Sequence, residues 1–407
     1  VDPRNIKIYG NGGRMLPLLN SIPYPDDMAE NAISIIGEED GGFDNSDYIL
    51  FYAEGVDNWN EESETHNNLF ADKSYYYITS NGGPGKRIGN MPAITQAPTM
   101  TTTVFDDYQF HEVDRINVAR LGRKWFGEQF NIENEQEFKF QFPNLAPASQ
   151  INIQVSAAGA SFSTNNMTVT ANTQNIGTMT FDAIGSNSST LASPDNTAGN
   201  IPSTETVTVK LTYNNNGVPS ANAYLDYIIL RSKGRLNGFG KQFRFQLNDA
   251  ALNSGVIEYQ FSNASGISQI WDITDIYNVS KTLNPNQNNF SFKSYLGEIR
   301  NYIAVDNANF LSPLKDSKSR VANQNLKGTI LKNNQGAFQD LDYLIVTPAS
   351  LTSQAERLAN FHRNYSQLNV KVISLEAIYE EFSSGKQDIA AIRNFAKYIY
   401  NNASSPN

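Results

Sequence analysis

The sequence contains no cysteine. Disulfides, thiolate metal sites and a cysteine nucleophile are thereby excluded from these residues. Histidine is nearly as scarce. His66, His111 and His362 lie in three separate segments, and none has a second histidine at ligand spacing, so a histidine-built zinc site is not expected. Basic residues are in deficit, with 31 Lys and Arg against 41 Asp and Glu and a formal charge of −10. A protein that tracks a nucleic-acid backbone needs the opposite balance, so nucleic acid is not an expected partner. No apolar run approaches the roughly 18 residues that a membrane-spanning helix requires. The first residue is Val1 rather than Met, as in a processed or excised form.

What is present points to β structure. The 407 residues leave room for about two to four domains. Tyr and Phe are plentiful, charge density is low, and long stretches are rich in Asn, Ser, Thr and Gly. Such surfaces suit secreted or cell-surface β domains.

Along the chain three characters follow one another. Residues 1–130 read as a β-rich N-terminal domain. "NIKIYG" alternates, "NGGRMLP" has turn chemistry, and "NAISIIGEEDGGFDNSDYILFYAEG" reads as strand, acidic turn, strand. "TTTVFDDYQFHEVDRINVARLGRKWFGEQF" begins extended, and its middle fits either a short helix or a long aromatic-rich loop. Residues 131–333 read as a β-sandwich-like region with a connector. In "TVTVKL", Val207, Val209 and Leu211 share one face, and Thr208 and Lys210 the other. The strands after 236 are expected to complete the same sandwich, with one helical turn around Asp272 and Ile276, and residues 306–328 to connect onwards.

Residues 334–407 change period. "YLIVTP" and "VKVISL" are short strands, and "TSQAERLANFHRNY", "AIYEEF" and "QDIAAIRNFAKYIY" are helical. The expected buried stripes are Ala355, Leu358, Phe361 and Tyr365 on the first helix, and Ile389, Ile392, Ala396 and Ile399 on the last. Asp388 sits at the positive end of that last helix, where a carboxylate is favourable. The order β-α-β-α opens a largely parallel sheet covered by helices. Two strands cannot cover these helices, and each large apolar side chain left wet forfeits about 1.5–3 kcal/mol. More chain therefore belongs with this segment, or it packs elsewhere.

Few residues suggest chemistry. Asp40, Asp44 and Asp47, with Asn45, sit in a glycine-rich turn; compact oxygen donors suit calcium, and equally they suit capping of the turn's own N–H groups. "NGGPGKRIG" lacks phosphate-loop spacing and reads as a loop end. "NVARLGRKWFGEQF" gathers Arg120, Arg123, Lys124, Trp125 and Phe126, a basic aromatic patch suited to a carboxylate, a glycan or a packing partner. No GxSxG elbow exists. Asp272 and Asp275 are the weak candidates for a glycosidase carboxylate pair.

"DYLIVTP", "AERLANFHR" and "VKVISLEAIYEEFSSGKQDIAAIRNFAKYIY" resemble the first portion of a gingipain-type cysteine peptidase domain. "DGGFDNSDYILFYAEG" and "GRKWFGEQF" are similar to the N-terminal region of the PorU-type sortases of the type IX secretion system. The resemblance implies a multidomain, mainly β chain ahead of a caspase-like α/β domain. It implies an enzyme on the extracellular face of the outer membrane that removes C-terminal sorting domains from secreted proteins. The new carboxyl end passes to anionic lipopolysaccharide through Cys–His nucleophilic catalysis. Partners would be those cargo proteins and the outer-membrane secretion and attachment machinery. The family's catalytic Cys and His lie beyond the matched portion, so no catalytic residue is carried over and this stretch alone is expected to be inactive. No cofactor is required by that chemistry. Asp40, Asp44 and Asp47 match an acidic turn of the family; calcium as their ligand is read from the compact oxygen donors and not from the resemblance. The competing readings are a non-enzymatic β-sandwich adhesion or assembly module and a carbohydrate-active β protein.

Overall fold

Alternating apolar residues in the middle of the chain become the inner faces of two antiparallel sheets. The computed structural model describes residues 1–317, 320–321 and 326–404, so the connector expected at 306–328 lies partly outside the described residues. One sheet runs in the order Glu135–Gln141, Thr206–Asn214, Asn165–Ala171, Gln174–Phe181. The facing sheet runs Ser193–Pro202, Gln150–Ala160, Asn222–Arg235, Val104–His111, with Gln129–Phe130 also on the long 222–235 strand. Val207, Val209 and Leu211 point into the core with Ile151, Ile153, Val155 and Leu230. Lys210 lies on the other face, where its Nζ meets Glu135 at 2.7 Å. This is the alternation that "TVTVKL" predicts. Burying side chains of this size contributes about 1.5–3 kcal/mol each.

The strands after 236 do not complete that sandwich. They enclose an aromatic core of their own, formed by Phe245, Tyr259, Phe261, Phe290, Phe292 and Tyr302. Tyr259 stacks on Phe292 at 5.0 Å, and Phe245 on Tyr302 at 5.2 Å. The buried Tyr302 hydroxyl donates to Ser294 Oγ at 2.8 Å, which satisfies its polar end. The expected helical turn near Asp272 is absent. Asp272 ends the strand Ile267–Asp272, accepts from Thr274 N and is paired with Arg300 at 2.8 Å, and the chain then turns without helix.

The chain forms two compact units that are not contiguous in sequence. One comprises Gly89–Asp275 and Val279–Leu311; the other comprises Val1–Ile88, Ile276–Asn278 and Ser312–Asn407. Residues 89–130 pair with strands of the first of these. Met100–Thr102 runs parallel to Val256–Phe261, and Val104–His111 lies antiparallel to Asn222–Arg235.

In the other unit a small sheet orders Glu30–Asn31, Lys7–Tyr9 and Tyr77–Thr79, and Ile33–Ile36 pairs with Tyr48–Phe51. Ile6, Ile8, Ile33 and Ile35 are its core. The α/β segment has one parallel pair, Tyr343–Thr347 with Val370–Ser374, and three helices: α1 (Thr352–Tyr365), α2 (Leu375–Phe382) and α3 (Ile389–Asn402). This is the opening of a caspase-like α/β domain.

The helices bury different faces from those expected. On α1 only Ala355 and Ala359 are buried, whereas Leu358, Phe361 and Tyr365 are 43, 54 and 79 % exposed. The two alanines, one turn apart, form the seam that packs toward the strands, and the large side chains lie off it. On α3 the buried residues are Ala390, Ala391 and Phe395; Ile392 and Ile399 pack partly against the core, and Ile389 and Ala396 are exposed. Leu16, from the N-terminal "GRMLP", is buried in the same cluster as Ile378, Phe382 and Phe395.

Candidate functional site

A densely built polar site lies in the turn between α2 and α3, "SSGKQD". Ser383, Ser384, Lys386 and Asp388 are all buried. Gly385 allows the tight reversal. Its φ is +85°, and a Cβ there would fall 2.4 Å from the Tyr77 hydroxyl. Asp388 is the N-cap of α3: it accepts from Ala390 N at 2.8 Å and, through its other oxygen, from Leu16 N at 2.9 Å. Lys386 Nζ donates to Gly12 O and Arg14 O, each at 2.8 Å. Ser384 Oγ accepts from Asn11 N at 3.3 Å. From the next turn of α3, Arg393 donates to Pro17 O at 2.9 Å and to Leu18 O.

Side chains of 384–393 thus hold the backbone of residues 11–18 as a strap. Buried backbone groups must find partners, and here the α/β segment supplies them. The strap is equally confined on its other side. A Cβ on Gly13 would lie 2.1 Å from Gly55 O, so only glycine fits. Arg14 Nε reaches the buried Glu54 at 2.8 Å.

The electrostatics fit a holding role. Burial brings the Lys386 ammonium down to about 8, although the charges of Asp388 and Glu54 oppose the shift. Burial likewise pushes the Asp388 carboxyl up, against the N–H groups of Leu16 and Ala390 and the charge of Lys386. A lysine lowered in this way can act as nucleophile or base where substrate reaches it. Lys386 is only 1 % exposed and its Nζ is engaged by two carbonyls, so it fastens chain rather than attacking it. A cleft of about 290 Å³ between residues 14–22 and 56–62 contains Arg14, Trp59, Glu61 and Glu62, and its walls include no Ser, Thr, Cys or His. It therefore offers no Ser, Thr or Cys nucleophile with a histidine base.

The acidic turn is a different structure. Asp40 accepts from Gly42 N at 2.8 Å, Asp44 from Ser46 N at 2.8 Å and Ser46 Oγ at 2.7 Å, and Asp47 from Asp44 N at 3.0 Å. The bonds to Ser46 hold the Asp44 carboxyl below its ordinary value. The three carboxylates thus cap N–H groups of their own turn. Among the described residues no group of three or more His, Asp or Glu is arranged to hold a metal ion.

The histidines remain apart. His66 is buried, its ring 4.8 Å from Trp59. His362 lies on α1 against Tyr343, at 5.1 Å. His111 Nε2 stands 3.2 Å from Glu128 Oε1, with Arg115 at 3.7 Å from the same oxygen. Burial disfavours the Glu128 charge, yet His111 and Arg115 outweigh it and hold the carboxyl below its ordinary value.

That pair braces the base of a hairpin. Ile116 and Phe126 bridge it, with Ile116 N to Phe126 O at 2.9 Å and Phe126 N to Ile116 O at 2.8 Å. Lys124 Nζ turns to the buried Asp226 at 2.6 Å, which Ser156 Oγ also reaches at 3.0 Å. The patch read from "NVARLGRKWFGEQF" is thus a hairpin loop and not a helix. Phe126 is buried, whereas every residue from Arg120 to Trp125 is exposed.

The strap was not legible as a site. "GRMLP" looks like any turn, and "SSGKQD" contains a lysine and an aspartate that only the tertiary structure buries. The one local signal was the Asp388 cap.

Among curated protein sequences none matches. A carbohydrate-binding module, CBM36 in complex with calcium and xylotriose, aligns at 18% identity over 30% of this chain and 98% of its own, and its TM-score of 0.20 is too low to carry weight. The crystal structure of dimeric latent PorU from Porphyromonas gingivalis aligns over 98% of this chain, with a TM-score of 0.77 and 19% identity. This chain spans 37% of the length of that one. Residues 337–407 match the family model of peptidase family C25, and the chain as a whole shares the fold of that part of PorU.

Proposed function

We propose that this chain is the non-catalytic N-terminal part of a cell-surface cysteine peptidase of sortase type, and that the strap fastens its N-terminal segment to the opening of the peptidase domain. The observation that carries this reading is the C25 match at 337–407 in a chain whose fold follows PorU almost throughout. The absence of cysteine agrees with a stretch that supplies no nucleophile. In the whole enzyme, a Cys–His pair outside these residues would remove C-terminal sorting domains from secreted proteins and pass the acyl group to anionic lipopolysaccharide. The work would take place on the extracellular face of the outer membrane, with the secretion and attachment machinery as partners. Among the described residues no helix is long and apolar enough to cross a membrane.

Two experiments test this. The purified chain, incubated with a secreted protein that carries its sorting domain, is expected to leave it intact; iodoacetamide-sensitive cleavage by pure chain would refute the assignment. Reading the gene past the Asn407 codon is expected to reveal a continuing strand–helix alternation that contains a cysteine and a histidine. An unrelated domain there would favour the adhesion-module reading.

A further inference from the structure

We propose that Asn81 is a site of self-modification: assisted by Lys7, its carboxamide closes on the nitrogen of Gly82 to a succinimide, which water opens to aspartate or isoaspartate. The inference is independent of the peptidase assignment. Asparagine is a labile residue, and most so before glycine, where no Cβ hinders the approach of the following nitrogen. The sequence has four such pairs, at Asn11, Asn81, Asn216 and Asn237.

The fold locks three of them. Asn11 is buried, and its carboxamide is held at both ends: Oδ1 accepts from Ala29 N at 2.7 Å, and Nδ2 donates to Asp27 O at 3.2 Å. Asn216 Nδ2 donates to Thr164 O at 2.8 Å, and the nitrogen that would attack it, Gly217 N, donates to Asn215 Oδ1 at 3.0 Å. After Asn237, Gly238 N donates to Ser262 O at 3.1 Å, and a Cβ on Gly238 would fall 2.3 Å from Asn263 O, so that backbone has no room to rotate. Asn81 is not held in this way. Residues 81–84 are all exposed, and among the described residues neither the Asn81 carboxamide nor Gly82 N has a hydrogen-bond partner. Gly82 and Gly83, both at φ +84°, leave the turn open to water.

Lys7 supplies the assistance. Its strand is fixed by pairing with Tyr77–Thr79, and its Nζ donates to Asn81 O at 3.2 Å and to Gly82 O at 3.0 Å. Asn81 O belongs to the very amide whose nitrogen attacks. When Gly82 N gives its proton to hydroxide, the negative charge spreads onto Asn81 O, where the ammonium already stands, and a donor aimed at developing charge lowers the barrier. The nitrogen's electron pair then forms the bond to Asn81 Cγ, and the side-chain nitrogen leaves as ammonia with a proton from water. Water next adds to one ring carbonyl and breaks its C–N bond. Attack at Cγ gives aspartate, and attack at the main-chain carbonyl gives isoaspartate. In sum one water is consumed, one ammonia is released, and a neutral carboxamide becomes a carboxylate. In isoaspartate the new carboxylate contains the oxygen that Lys7 holds, so an ion pair replaces a hydrogen bond.

The test holds the full chain in mildly alkaline buffer and follows each Asn–Gly peptide by mass and by isoaspartate content. Asn81 is expected to convert while Asn11, Asn216 and Asn237 persist, at a rate that rises in step with hydroxide. In urea at the same pH all four should convert at comparable rates, because the locks are gone. This selectivity tests the site without any substitution. Lys7→Met should slow conversion at Asn81 about tenfold, the worth in rate of one hydrogen bond to a charged group. Lys7→Arg, which keeps a cation, should restore most of that rate, and neither change should matter in urea. Thermal melts and the persistence of the other three pairs report that both variants are folded. Conversion first at another pair would overturn the proposal. So would survival of Asn81 in the folded chain while the unfolded chain converts, or a folded Lys7→Met variant that converts as fast as the parent.

Discussion

Lys386 is the residue whose surroundings say most about the molecule. Its ordinary value of 10.5 is lowered to about 8 by burial. The folded state therefore penalises the charged form, and the penalty is fully present below about pH 8. It is relieved as pH rises toward the unfolded value, so this group makes the fold gain stability between about 8 and 10.5. A neutral amine retains two N–H groups, enough for Gly12 O and Arg14 O. Lys386→Met should abolish that alkaline gain and, by orphaning two carbonyls, cost about 1–3 kcal/mol at neutral pH. Urea unfolding of both proteins across pH 7–10.5 is the measurement, and parallel curves would dismiss the assigned role. Asp388→Ala should cost about 1–2 kcal/mol from the lost cap, with more from Leu16 N. Asp388→Asn, which retains a cap oxygen, should cost less. The acidic turn makes a third case at this scale. Its carboxylates already accept from their own N–H groups, so calcium is expected to leave the melting temperature unchanged. A rise on adding calcium, reversed by chelator and absent in D44A, would assign the ion to Asp40, Asp44 and Asp47.

At the scale of elements, α1 shows how a correct helix can be given the wrong face. Its limits and period were legible, because Ala, Glu, Arg and Leu favour helix and the apolar residues recur at three and four. The seam was not. Ala355 and Ala359 allow close approach to the parallel pair, while Leu358 and Phe361 lie outside that contact. Ala359→Leu should therefore destabilise by about 1–3 kcal/mol through overpacking. Leu358→Gln should change stability by no more than about 0.5 kcal/mol. Thermal melts of the two variants distinguish this seam from the larger stripe, which predicts the reverse order. The 116–126 hairpin gives the converse lesson. Its basic aromatic composition was plain, yet whether Trp125 packs or projects depends on Asp226 and Leu225, about a hundred residues away in the chain.

At the scale of the whole molecule, the α/β segment does not provide all of its own core. Leu16 fills the cluster around Ile378 and Phe395, and the strap's carbonyls are the partners of Lys386 and Arg393. Removal of residues 1–20 should therefore loosen the α/β segment selectively. In hydrogen exchange, amides of α2 and α3 should lose protection while those of the strands Thr206–Asn214 and Asn222–Arg235 retain theirs. Uniform protection throughout would mean that the strap is dispensable.

The sequence by itself determined the local order of this protein: period-two strands in the middle, a βαβα run at the end, the cap at Asp388 and an acidic turn. These follow from backbone propensity and side-chain alternation, which act over a few residues. Only the tertiary structure decided that the strands after 236 close over a separate aromatic core, which residues bury on α1 and α3, and that residues 11–18 are strapped beneath Lys386, Asp388 and Arg393. The strap depends on hydrogen bonds between groups hundreds of residues apart, and the other two outcomes on packing between elements that are neighbours in space and not along a single helix or strand. Burial turns an ordinary lysine and aspartate into a fastening, and nothing in their immediate neighbours announces it.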